Sequence, residues 1–414
     1  MSEHFDDKET RDPEAREAAL FARLPEFIAA AVSAAPGWKM RLAGIDAGAV
    51  TSREALAALP VLRKPELMEA QAAEPPFGEF ADPERLDGCR IFMSPGPVWE
   101  PQPPGIDPWL AARAFFAAGI GSGDLVHNAL SYHATPGGFI LDEGARAAGA
   151  RVFPAGVGST EQQVEAAAFL KPSAYAGTPD YLKVMLDKAA ETGHALSSIR
   201  KALVSGGALF PSMRAEYRDR GVAVMQAYAT ADVGVIAYES AVGGEPLPGM
   251  IVNEDMVVEI VRPGTDDPVP AGEVGEVVVT SFNAAYPLIR FGTGDMSAVL
   301  DESSPCGRTN MRIKGWMGRA DQRTKVKGMF VDPKQVDAVV KSVPGVARAR
   351  LVVDRKGDAD AMTLMVEPAS GATPDVEALT AALAAQTRLK GAVEIASDLP
   401  NDGKVIDDRR DYSK

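Results

Sequence analysis

Cysteine is nearly absent from this chain: Cys89 and Cys306 are the only two in 414 residues, and they lie far apart. That scarcity excludes a disulfide framework and a cysteine-rich zinc site. Long apolar runs are missing as well. The most apolar early stretch, Leu24 to Ala35, is broken by Glu26 and is too short to span a bilayer. The acidic opening Met1-Ser2-Glu3-His4-Phe5-Asp6-Asp7 carries no apolar signal region, so a cytoplasmic chain with no membrane partner is expected. Positive charge is in deficit, with 43 Lys and Arg against 57 Asp and Glu, a formal net charge of -14. Such an excess argues against broad nucleic-acid binding, although a local cluster of donors can still hold an anion. No internal repeat or low-complexity tract is evident.

What is present is ordinary globular composition, 46% hydrophobic and 24% charged, in a chain too long for one core. Apolar positions Leu20, Leu24, Phe27, Ile28 and Val32 recur at helical spacing and predict a helix over 13–33. A proline- and glycine-rich stretch from Glu74 to Pro104 reads as a long loop. From there strand and helix alternate. Strands are expected at 125–130, 151–153, 173–176, 202–204 and 222–225, and helices at 109–118, 138–148, 161–170, 181–191 and 212–218. That alternation favours a parallel sheet covered by helices on both faces, with ligands held in the loops beyond the strands' carboxyl ends. The loops to inspect begin at Ser205 and Tyr228.

After Gly249 the runs Met256 to Val261 and Val274 to Val279, separated by Pro263-Gly264-Thr265-Asp266-Asp267-Pro268, read as antiparallel hairpin structure. Beyond about Gly318, helix, strand, strand and helix precede a polar tail, a compact α+β unit. The expected architecture is therefore α/β: a large domain over 1–320 with a β-rich subdomain, and a small α+β domain over 321–414.

Five segments carry candidate chemistry. Ser205-Gly206-Gly207-Ala208 follows a strand and precedes a helix, where paired glycines let a flat ring or an anion approach the backbone; a plain turn reads the same way. Tyr228-Ala229-Thr230-Ala231-Asp232 places an aromatic ring, a hydroxyl and a carboxylate at a strand end, suited to a base, a phosphate and a metal. Asp295 closes Pro287-Leu288-Ile289-Arg290-Phe291-Gly292-Thr293-Gly294-Asp295, where a carboxylate after a glycine-flanked turn can bind both hydroxyls of a ribose. Gly318-Arg319-Ala320-Asp321-Gln322 lies where the texture changes and suits a hinge. Leu399-Pro400-Asn401-Asp402-Gly403-Lys404 holds a lysine in the tail.

In this order and spacing the segments resemble the phenylacetate–CoA ligase branch of the adenylate-forming enzymes. The resemblance spans nearly the whole chain and includes Tyr175-Ala176-Gly177-Thr178-Pro179, Cys306-Gly307-Arg308-Thr309 and Val331-Asp332-Pro333-Lys334-Gln335-Val336. It implies a two-step reaction: a carboxylate attacks the α-phosphate of Mg·ATP to give an acyl-adenylate, and the thiol of coenzyme A then displaces AMP after the small domain rotates. It implies that Asp295 binds the ribose, that Tyr228 lies near adenine, and that Ser205, Gly206, Gly207, Ala208 and Ala229 border the adenine and acyl sites. Thr230 would face phosphate and Asp232 would hold Mg²⁺. Arg319 would contact nucleotide, Asp321 would be the hinge and Lys404 the lysine of the adenylation step. The implied partners are a small acid of aromatic type, ATP and coenzyme A, with a homodimer suggested by the same resemblance.

The chain departs from the family pattern where a Ser-, Thr- and Gly-rich phosphate loop ending in Gly-Lys is expected. Here it reads Met93-Ser94-Pro95-Gly96-Pro97-Val98-Trp99-Glu100-Pro101. Pro95 and Pro97 have no N–H to offer a phosphate, and Glu100 stands about where the lysine would be. For unit charges about 4 Å apart, reversing one sign changes roughly 4 kcal/mol of attraction at a partly buried site into repulsion. Gly292 replaces a second arginine, and Asp232 stands in place of a glutamate. Two further readings follow: a relative that binds AMP or acyl-adenylate without turnover, and an adenylating enzyme with a non-CoA acceptor.

Overall fold

The computed structural model describes residues 3–262, 265–320, 324–356, 359–399 and 405–410. The chain forms two compact units, Met1–Met317 and Gly318–Lys414. Among the described residues no helix is long and apolar enough to cross a membrane.

The large unit is organised by a nine-stranded sheet. Its parallel half runs Arg151–Phe153, Leu125–Asn128, Ala174–Gly177, Lys201–Val204, Ala223–Thr230. Crossovers pass through the helices Gly137–Ala147, Thr160–Leu170, Pro179–Glu191 and Pro211–Asp219. The inner strands Leu125–Asn128, Ala174–Gly177 and Lys201–Val204 are short and nearly all buried, as expected where helices cover both faces. Local chemistry sets the helix starts. The Thr178 hydroxyl accepts from the amide of Tyr181, and Pro179 takes the first helical position, where no N–H is needed.

Two expectations are corrected here. The predicted helix over 109–118 shortens to Ala112–Ala117, because Leu110 adopts φ +58° and breaks the helical path. The predicted strand at 222–225 extends to Thr230, because Tyr228, Ala229 and Thr230 go on to pair antiparallel with Gly234–Tyr238 across a register shift. The sheet continues through Met250–Val252, Arg312–Ile313 and Val299–Leu300.

A second sheet, ordered Leu62–Arg63, Leu288–Ser297, Gly275–Ser281, Met256–Val261, is buried on both faces at its centre. Arg290, fully buried, reaches across the middle strand to hold Glu259 through two hydrogen bonds of 3.0 Å. Leu24, Ile28, Trp38, Leu62, Tyr228 and Phe291 share the core that joins this sheet to the first helix, Pro13–Ala34. The stretch expected as loop from Glu74 to Pro104 contains a hairpin, Ile91–Ser94 paired with Val98–Pro101.

The small unit pairs a hairpin, Thr324–Val326 with Met329–Val331, with a four-stranded sheet ordered Ala392–Ile395, Ala359–Pro368, Val346–Lys356, Ile406–Asp408. Helices Pro333–Ser342 and Val376–Thr387 bury Val336, Val339, Leu379 and Leu383 with Leu351 and Leu364 of the sheet.

Candidate active site

The central parallel strands deliver the first two segments. Ser205 to Ala208 leaves the end of Lys201–Val204, with the Ser205 amide donating to Gly177 O at 2.9 Å. Gly206 has φ +70° and an exposed backbone, and a Cβ at Gly207 would press on Pro179 at 3.2 Å. Both positions favour glycine, so the turn presents backbone rather than side chain.

Next to it, Tyr228 and Asp295 meet. The buried Tyr228 hydroxyl donates to Asp295 Oδ2 at 3.0 Å, and the Trp316 indole N–H donates to Oδ1 at 3.0 Å. The glycine-flanked turn expected before Asp295 is instead an irregular part of the strand Leu288–Ser297, which Thr293 braces: its hydroxyl donates to Val277 O and accepts from the Asp295 amide. A carboxylate held at both oxygens cannot swing between rotamers, which suits it to a fixed, directional role toward hydroxyl groups. Trp316 was not singled out in the sequence. Its partner is remote in the chain, and nothing local marks it.

The third cluster contains the residue that departs most from the family pattern. Strand alternation in the 91–101 hairpin turns Phe92 and Ser94 inward and leaves Ile91, Met93 and Trp99 exposed, and Glu100 faces inward at 3% exposure. The Ser94 hydroxyl donates to Glu100 Oε1 at 2.8 Å, while Oε2 is buried without a hydrogen-bond partner. Asp232, just past the long strand, lies beside it at 6% exposure. Its carboxylate has no hydrogen bond of good geometry, but Lys64 Nζ sits 2.7 Å from Oδ2. Burial and the neighbouring Asp232 charge push the Glu100 carboxyl well above its ordinary range, against the opposing pull of Lys64 and the Ser94 hydrogen bond. Behind them, Gln71 holds the hairpin through Trp99 N at 2.9 Å and Trp99 O at 2.8 Å, and donates to the Tyr286 hydroxyl at 3.1 Å.

Lys64 was likewise not singled out in the sequence. One local signal existed: it opens the helix Lys64–Ala73 with Pro65 next, and a cation in a first turn opposes the helix dipole. Gly292 has no arginine to offer, yet Arg63 pairs opposite it on the adjacent strand and binds Glu276 at 3.2 Å and Asp266 at 3.0 Å.

Two buried carboxylates that share a single ammonium, with Glu100 Oε2 and Asp232 Oδ1 left without a partner, suit a hard cation, so Asp232 and its surroundings fit Mg²⁺. Thr230 accepts from the Val233 amide at 3.4 Å and remains partly exposed at the strand end, as does Ala229. Arg319 belongs to the small unit, where its guanidinium lies 5.7 Å from the centre of the Phe330 ring. Asp321 and Lys404 lie outside the described residues.

With this geometry in view, similarity to known proteins becomes informative. The family model described as AMP-binding enzyme matches residues 144–285. A phenylacetate-coenzyme A ligase of Thermus thermophilus is 30% identical over 360 residues, which cover 83% of this chain and 80% of the relative. A protein of the same name from Pseudomonas putida is 27% identical, covering 88% and 84%. Among solved structures, 2-hydroxyisobutyryl-CoA ligase in complex with its acyl-AMP and CoA superposes with a TM-score of 0.82 at 25% identity, over 99% of this chain and 93% of that one.

Proposed function

Because the chain belongs to the phenylacetate–coenzyme A ligase family of adenylate-forming enzymes, we propose that it activates an aryl or arylacetic acid with ATP and transfers the acyl group to coenzyme A. It is an AMP-forming acyl-CoA ligase. The acid's carboxylate attacks the α-phosphate, releasing pyrophosphate and forming an acyl-adenylate. The thiol of coenzyme A then attacks the acyl carbon, and AMP leaves. Forming the mixed anhydride replaces hydroxide, a poor leaving group, with AMP, a good one.

The observation that carries this reading is the doubly held Asp295 carboxylate beside Tyr228. In this reading Asp295 takes the ribose hydroxyls and Tyr228 lies at the adenine. The Ser205 to Ala208 backbone borders the base and the acid, and Thr230 faces phosphate. Asp232 holds Mg²⁺, which when bound supplies charge neutralisation for the departing pyrophosphate. Arg319 contacts nucleotide, Asp321 is the hinge of a moving small domain, and Lys404 steadies the charge that builds on the α-phosphate.

The aromatic class of acid is supported by the names of the curated relatives, whereas the similar solved ligase is named for a branched hydroxy acid. A panel of phenylacetate, benzoate, indoleacetate and 2-hydroxyisobutyrate, with AMP, pyrophosphate and thioester as readouts, tests both the activity and the class. The buried Glu100 favours a second reading, a chain that binds AMP or acyl-adenylate without turnover, and AMP binding with silence across the panel would select it.

A further inference from the structure

We propose that Glu100 is a second carboxylate ligand, beside Asp232, for the divalent cation that accompanies the nucleotide, so that the altered loop engages phosphate through metal rather than through a lysine. This rests on the ATP-dependent reading above. The cluster holds two carboxylates, Glu100 and Asp232, against one ammonium, Lys64, which leaves it one positive charge short. Within the cluster, Glu100 Oε2 is buried with no hydrogen-bond partner, and the Asp232 carboxylate is buried with only the ion pair from Lys64 to its Oδ2. A buried carboxylate in that state takes up either a proton or a cation.

The shape of the hairpin explains why a cation is the functional occupant. Pro95 and Pro97 remove amide donors from the turn, so its backbone is a poor cradle for phosphate. Strand pairing sets Glu100 opposite Phe92 and turns it inward, and Ser94 fixes one of its oxygens at 2.8 Å. The other oxygen is left for the metal. Among the described residues no group of three or more His, Cys, Asp or Glu side chains converges, but Mg²⁺ does not require one. It binds through one or two carboxylates and completes its octahedron with waters and phosphate oxygens. Glu100 thus converts a charge reversal that would repel ATP alone into an attraction for ATP with its metal.

The test uses the full chain stripped of metal and titrated with Mn²⁺, with free Mn²⁺ read by electron paramagnetic resonance and no nucleotide present. Wild-type protein should bind Mn²⁺. Glu100→Gln, which keeps the side chain's shape and can still accept from Ser94, should bind it at least about 10-fold more weakly, the scale on which metal sites respond even to loss of a supporting group. Glu100→Asp should stay nearer to wild type, and the affinity for AMP measured by calorimetry in the absence of metal should be unchanged in Glu100→Gln. Mn²⁺ binding lost in Asp232→Asn but unaltered in Glu100→Gln would overturn the proposal, as would a wild-type protein that takes up no Mn²⁺. Glu100-dependent Mn²⁺ binding in a protein that releases no AMP from any acid would uphold the ligand and sink the ligase reading. AMP release together with Mn²⁺ affinity indifferent to Glu100 would do the reverse.

Discussion

Lys64 Nζ lies 2.7 Å from Asp232 Oδ2, joining the first turn of the helix Lys64–Ala73 to the turn beyond the longest central strand. The Asp232 side chain is wholly buried, and Lys64 is its only ion-pair partner among the described residues. Removing the ammonium strands a charge in the interior. Lys64→Ala should therefore destabilise the fold by about 3 kcal/mol, the low end for breaking a buried pair because the lysine keeps partial exposure. Urea denaturation measures this. The Lys64→Ala/Asp232→Ala double variant should recover a good part of the loss, and additive losses would show that the pair is not coupled.

Asp295 gives a prediction about binding. Its two oxygens are oriented by Tyr228 and Trp316, and in the proposed complex they meet the ribose. Asp295→Ala should weaken AMP binding by about 30-fold or more, corresponding to roughly 2 kcal/mol for hydrogen bonds to a charged group. Trp316→Phe keeps the ring and loses one donor, so its effect should be smaller, roughly 1 kcal/mol. Calorimetry with AMP reads both. Unchanged affinity in Asp295→Ala would remove this carboxylate from the nucleotide site.

The two cysteines should respond differently to pH. Burial tends to raise the Cys306 thiol, but the hydroxyls of Ser240 at 3.3 Å and Ser304 at 3.0 Å, with the Arg308 guanidinium at 3.7 Å, outweigh it and hold the thiol below its ordinary value. Cys89 is shifted the other way, chiefly by burial. A lower pKa means more thiolate at a given pH. Iodoacetamide labelling followed peptide by peptide should thus begin at lower pH for Cys306 than for Cys89. Ser304→Ala should move the Cys306 profile toward higher pH and leave Cys89 where it is.

His127 supplies a pH dependence of stability. It is fully buried against Gln163, and burial lowers its pKa. The unfolded chain therefore binds the proton more readily than the folded one. Stability should be complete above the ordinary histidine range and should fall as pH drops through it. His127→Gln should flatten that limb of a melting-temperature profile between pH 5 and 7, values that bracket an unperturbed histidine at about 6.5.

Much of the α/β architecture was legible because its strands are short apolar runs punctuated by helix starts such as Thr178-Pro179. The 91–101 hairpin was hidden because Pro95, Gly96 and Pro97 read as loop, whereas they occupy only the turn between two paired strands. Tyr228, Asp232 and Asp295 stood out through their position after glycine or at a strand end. Lys64 and Trp316 did not, because what distinguishes them is contact with residues far along the chain. Glu100 was visible as a charge of the wrong sign, but its burial beside Asp232 depends on strand alternation that the prolines concealed.

Whether this chain joins an acid to AMP and hands it to a thiol is read from release of AMP and pyrophosphate by purified protein given Mg·ATP, coenzyme A and the acid panel, with Asp295→Ala and Lys404→Ala alongside. Acid-dependent AMP matched by thioester is expected, greatest with an aryl or arylacetic acid and lost in both variants. No AMP from any acid, in a protein that still binds AMP, would contradict it.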